Sequence, residues 1–161
     1  MRDIYSNFSY FQAIPPTLQD SANGDALTGE TIDLKGYEAV TIAVTLGLVE
    51  SMTTSTTSYF VLRLQHTDAS ALEAGPSDFA DVADGYYIVH SVISVGATLT
   101  SGIWQASING DDFGSATYCI GYKGPKRYVR VYMSGASAAS INIAALAFIG
   151  YPTFWPVNTP A

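Results

Sequence analysis

Charge is scarce in this chain, and so are the residues that do chemistry. Only 13% of its 161 residues are Asp, Glu, Lys or Arg, about half the share usual in soluble domains. It has one cysteine and two histidines. A single cysteine excludes an internal disulfide, so the fold does not depend on an oxidising compartment. Cys119, His66 and His90 lie on separate segments and are too few for a structural zinc site. Three motifs are also missing: a Gly-rich phosphate loop followed by Lys-Ser/Thr, a Gly-x-Ser-x-Gly elbow, and histidines paired at metal spacing. No catalytic residue and no cofactor is therefore expected. Long apolar runs are absent too. The longest clean one covers residues 143–149, far short of the roughly 20 residues that span a bilayer. The start, Met1-Arg-Asp-Ile-Tyr5, lacks the apolar centre of a signal peptide. These features predict a soluble protein made in the cytoplasm, with no membrane partner.

What charge there is leans acidic: 14 acidic against 7 basic side chains, a net charge of −7. Affinity for a phosphate backbone comes from Lys and Arg that neutralise phosphates, so nucleic acid is not an expected partner. The basic residues Lys123, Lys126, Arg127 and Arg130 cluster. They form either a solvated hairpin end or a contact for an acidic protein surface. The rest of the surface must be largely neutral, a composition suited to packing against other proteins or to Thr-rich exposed strands.

The chain carries the pattern of short strands. One domain is the simplest reading at this length, and such a domain can bury roughly 70% of its unfolded surface without staples. In residues 37–46, Val40, Ile42, Val44 and Leu46 alternate with small or polar neighbours, a period of two. Residues 59–66 alternate likewise, with Phe60, Leu62 and Leu64 on one face. Further strands are expected at 79–82, 86–95, 103–108, 116–123, 127–133 and 140–149, with turns at Asp84-Gly85, Asn109-Gly110 and Gly124-Pro125. On the strand at 127–133, Val129, Val131 and Met133 should face the core. Tyr128, Arg130 and Tyr132 should be partly exposed. About eight strands with polar loops and no helical stretch predict an all-β fold, a single β-sandwich of jelly-roll-like or Ig-like type.

Both ends differ from this pattern. Residues 1–29 read as an extended arm crowded with Tyr5, Phe8, Tyr10 and Phe11, and Pro15-Pro16 interrupts any regular element. The arm either folds back as an edge strand or reaches a neighbour. Residues 150–161 form an aromatic-proline tail with Tyr151, Phe154 and Trp155, held extended by Pro152 and Pro156. Asp78, Asp81 and Asp84 are spaced by three, and Asp111-Asp112 follow a hairpin turn. Hard oxygen ligands of this kind suit a Ca²⁺ ion, and paired carboxylates suit glycoside hydrolysis, but turn chemistry accounts for both more simply. Trp104, Trp155, Tyr86, Tyr87 and Tyr151 are a possible sugar platform or ordinary packing residues.

Four segments occur in a telling order: Leu62-Arg-Leu-Gln-His-Thr-Asp68, Phe79-Ala-Asp-Val-Ala-Asp84, Ile120-Gly-Tyr-Lys-Gly-Pro-Lys-Arg-Tyr-Val-Arg130 and Ile149-Gly-Tyr-Pro-Thr-Phe-Trp-Pro-Val157. Together they resemble a family of small head-associated proteins of tailed bacteriophages, encoded beside the major capsid protein. The match is dense over the last forty or so residues and generic before them, and the Gly-Tyr-Lys-Gly-Pro-Lys-Arg-Tyr-Val-Arg hairpin is its specific part. The loops at 50–58 and 69–77 and the long apolar stretch 86–108 depart from the family pattern. The resemblance implies a capsid decoration, or cement, protein on the outer surface of a phage head. Its partners would be the major capsid protein and sister copies, with a trimer favoured. Candidate interface residues are then Tyr5, Phe8, Tyr10, Phe11, Lys126, Arg127, Arg130, Tyr151, Phe154 and Trp155. Another virion component, such as a neck, tail or fibre part, and a carbohydrate-binding module are the alternatives.

Overall fold

The computed structural model describes residues 8–20, 26–50, 59–69, 78–83, 86–89, 103–108, 116–136 and 140–152. These form eleven strands and no α-helix: β1 (Phe8–Asp20), β2 (Leu27–Thr28), β3 (Ile32–Asp33), β4 (Tyr37–Glu50), β5 (Tyr59–Thr67), β6 (Ala80–Asp81), β7 (Tyr87–Val89), β8 (Ile103–Ile108), β9 (Thr117–Tyr122), β10 (Tyr128–Ala136) and β11 (Ser140–Pro152). One sheet runs β1-β11-β4-β9-β7. The other runs β2-β10-β5-β6, with β3 also on β10 and β8 also on β5. All pairings are antiparallel.

Connectivity chooses between the two sandwich types. The first strand lies beside the last, and the last lies beside β4, which lies beside β9. In the facing sheet β10 lies between the short early strands and β5. This is the double Greek-key order of a jelly roll. An immunoglobulin sandwich would place its first strand beside the next one in sequence. β7 is an addition at the edge beyond β9.

The alternation in β4 works as the sequence pattern requires. Val40, Ile42, Val44 and Leu46 are buried, and they meet Ile141, Ile143, Ala145, Ala147 and Ile149 of β11 in one core. Phe60, Leu62 and Leu64 of β5 and Val129, Val131 and Met133 of β10 close that core from the other sheet.

Residues 8–20, expected within an arm, form an edge strand, the first of its two readings. β1 pairs with β11 from Phe8 opposite Gly150 to Asp20 opposite Ser140. Pro15 and Pro16 do not end it. At a sheet edge the missing N–H costs no ladder bond, and the register shifts twice nearby, between Gln12 and Ile14 and between Ile14 and Thr17. The expected tail also begins later than its sequence suggests. Gly150 and Pro152 are still in β11, opposite Ala39 and Tyr37 of β4.

Candidate interaction surface

The motif residues come together on the outer face of the six-stranded sheet. Arg130 lies beneath the ring of Phe79, with its guanidinium carbon 3.8 Å from the ring centroid. Its Nε donates to Gln65 Oε1 at 2.9 Å. Gln65 Nε2 donates to Asp81 Oδ1 at 2.9 Å, and Arg63 Nη1 donates to Asp81 Oδ2 at 2.6 Å. Val82, next in sequence, is buried in the core. Phe79-Ala-Asp-Val82 is thus a clip: the ring caps Arg130, the carboxylate holds Arg63 and Gln65, and the valine anchors inside. Asp81 is engaged in this way, and Asp84, Asp111 and Asp112 lie outside the described residues. No cluster of metal-ligating side chains occurs among the described residues.

Arg130 is therefore misplaced among the expected interface residues. It is only 5% exposed, and burial lowers its guanidinium below the usual arginine value. Tyr128 is buried as well, with the Arg127 guanidinium 4.7 Å from its ring, and Tyr132 is half-buried. The expectation of a partly exposed Tyr/Arg face is corrected because other segments cover it.

The expected basic patch dissolves in the same way. Arg127 makes two bonds to Asp33, from Nε at 2.8 Å and Nη2 at 2.6 Å, and this pairing holds the Asp33 carboxyl below its ordinary range. Lys126 pairs with Asp68. Beneath them the hairpin is built around Tyr122. Its hydroxyl accepts from the Lys126 N–H at 3.1 Å and lies 2.9 Å from His66 Nδ1. The bond to His66 ties β9 of one sheet to β5 of the other. Gly124 completes the unit, since a Cβ there would land on the Tyr122 ring and hydroxyl.

The outer face of the five-stranded sheet is different in kind. Its cross-strand rows follow from the register: Phe8, Gly150 and Ala39; Tyr10, Phe148, Thr41 and Gly121; Gln12, Leu146, Ala43 and Cys119; then Ala144, Thr45 and Thr117. None of these side chains is charged. Tyr10 is 64% exposed, Leu146 45% and Phe148 43%. The Phe8 ring lies over Gly150, where a Cβ would come within 2.8 Å of it. Thr45 and Thr117 bridge their hydroxyls at 3.3 Å. At ordinary strand spacing this surface measures roughly 15 by 25 Å. Beyond the β1 bulge, Leu18 is 57% exposed beside a shallow depression of about 390 Å³ lined by Pro16, Thr17, Leu18, Gly47 and Asn142 among others. Cys119, expected as a small buried hydrophobe, is half-buried on this face.

Of the expected interface residues, Phe8 and Tyr10 lie on this face. Phe11 points to the opposite side of β1, opposite buried Ala147. Tyr151 is placed by its backbone in β11. Tyr5, Phe154 and Trp155 lie outside the described residues. Sequence reasoning missed Leu18, Leu146 and Phe148. A signal for the last two was present. Residues 141–149 read as an almost unbroken apolar run, the mark of a strand covered on both faces. Among the described residues only the inward face of β11 is covered. Neither protein-family models nor the curated proteins include a match to this sequence.

Proposed function

We propose that this chain is a non-enzymatic structural protein that adheres to another protein through the outer face of its five-stranded sheet. The observation that carries the reading is β11 itself: its outward residues Ala144, Leu146 and Phe148 are as apolar as its inward ones, yet they face outward beside Phe8 and Tyr10. A patch of about 400 Å² is comparable to the largest on a typical monomer, and such patches are often functional. The charged side chains of the described residues lie off these rows, and Arg63, Lys126 and Arg127 are engaged in ion pairs with Asp81, Asp68 and Asp33, so the uncharged face is the part of the surface suited to close packing.

The partner we propose is the outer surface of a tailed-phage head, built from the major capsid protein. Support comes from the hairpin and clip motifs in their order along the chain. The jelly roll recurs in viral capsid proteins, which supports the reading at the level of fold analogy alone. A cement protein needs no active site. It adds buried area across subunit joints, which outward pressure must break before the shell opens.

Magnitude sets how it must act. Covering Phe8, Tyr10, Leu18, Leu146 and Phe148 removes on the order of 400 Å² of apolar surface, or about 10 kcal/mol at ~25 cal/mol per Å². Association itself costs a comparable amount. One copy therefore adheres weakly, and several linked copies hold firmly through avidity. The test is particle binding by Leu146→Lys/Phe148→Lys. The substituted protein should fold normally and fail to co-sediment with heads that bind the parent chain. Full occupancy by the variant would overturn this reading. Binding to necks, tails or fibres instead of heads would keep the surface and change the address.

A further inference from the structure

We infer that two copies of this chain associate edge to edge, through residues 8–12 of β1. β1 is an outer strand of its sheet, and edge strands are normally protected because their free N–H and C=O groups invite another strand. The protection here is uneven. From Ala13 to Pro16 the edge is closed: the Ala13 carbonyl accepts from the Glu30 N–H at 2.8 Å, and Pro15 and Pro16 have no N–H to offer. Edge strands β2 and β6 are only two residues long, and β7 only three. Residues 8–12 have none of these devices. They contain no charge and no proline, and among the described residues they make no backbone bond beyond the ladder to β11.

The occupant that fits best is a second copy. An antiparallel edge is its own complement across a two-fold axis, because each strand offers the other the same alternating donors and acceptors. The seam also suits a chain of net charge −7, since no like charges meet along it. Phe8, Tyr10 and Phe11 are all at least 40% exposed, so both sides of the seam gain aromatic contacts. Their burial removes on the order of 300 Å² per copy, below the roughly 800 Å² of a standard interface. The dimer is therefore concentration-dependent and not permanent. Its geometry has a consequence. Residues opposite each other in an antiparallel pair point to the same side of the sheet. The uncharged faces of two copies thus come to lie side by side, facing the same way.

The test combines sedimentation velocity of the full chain with amide exchange, from low micromolar to several hundred micromolar protein. The expected result is a monomer–dimer equilibrium in which amides within residues 8–12 slow on the order of tenfold as dimer accumulates. Phe11→Lys, which leaves the outer sheet face intact, should stay monomeric and folded, with a melting temperature lowered by the loss of a side chain that is 40% exposed. Leu146→Lys/Phe148→Lys should still dimerise, which separates this inference from the adhesion reading. Monomer at every concentration overturns the inference. So does a dimer or trimer in which the edge-facing 8–12 amides, those not bonded to β11, exchange at the monomer rate, or protection of those edge-facing amides already in the monomer. Because exchange is read on the unsubstituted chain, the outcome does not depend on the variant folding.

Discussion

Phe79 and Arg130 should be energetically coupled, and a double-mutant cycle can measure how strongly. Phe79→Leu keeps an apolar plug over the sheet but removes the ring face. Arg130→Met keeps most of the stem and removes the charge. The guanidinium is 3.8 Å from the ring centroid and 5% exposed. A cation–π contact is worth about 0.5–1 kcal/mol at the surface and about 2 kcal/mol or more when desolvated. This pair belongs near the upper value, so a coupling of about 1–2 kcal/mol is expected. Arg130→Met also loses the bond to Gln65. That loss makes the single variant costly, but it occurs in both arms of the cycle and cancels. The assay is urea unfolding of the parent, both single variants and the double variant, with stabilities taken from midpoints and slopes. A coupling below about 0.3 kcal/mol, within ordinary additivity, would mean that Phe79 is only a lid and that the charge does not sense it.

Four other outcomes follow from the same geometry. Burial and the nearby Lys126 lower His66 from its ordinary value, while Asp68 opposes this and Tyr86 and Tyr122 pack against the ring. The unfolded chain then binds a proton that the folded one resists, so stability is complete above about pH 6.5 and declines as pH falls, by at most about 1.4 kcal/mol per unit; His66→Gln should flatten that decline in urea titrations. The Tyr118 hydroxyl is buried without a hydrogen-bond partner among the described residues, so Tyr118→Phe should raise stability by about 1 kcal/mol in the same assay. Gly124→Ala should cost about 1–3 kcal/mol by pushing Tyr122 off its partners, visible as a lower melting temperature. Removing residues 153–161, which spares β11, should reduce particle binding in the co-sedimentation assay; full binding by the truncated chain would show that the sheet face suffices.

Much of the fold was legible because alternation is a local signal. Val40 to Leu46 in β4 and Val129 to Met133 in β10 declare an inward face from their own spacing, and both faces are buried. The place of β1 was harder to read. Pro15-Pro16 argues against a strand in general, but an edge position with two register shifts accommodates it, and edge or centre is not a local property. Arg130 was read wrongly for a related reason. Alternation tells which side of the sheet a residue faces. It does not tell whether a distant segment, here the one bearing Phe79, lies on top.

By itself, then, the sequence determined the β class, the sandwich, the inward residues and the lack of recognisable catalytic or metal-binding motifs. Each of these rests on residue type and near-neighbour spacing. Only the tertiary structure decided that the strands wind as a jelly roll and that the basic hairpin is tied down by Asp33 and Asp68. It alone left the second apolar side of β11 outward-facing. Those outcomes depend on which strands lie side by side, and strand order is set by packing between segments far apart in the chain.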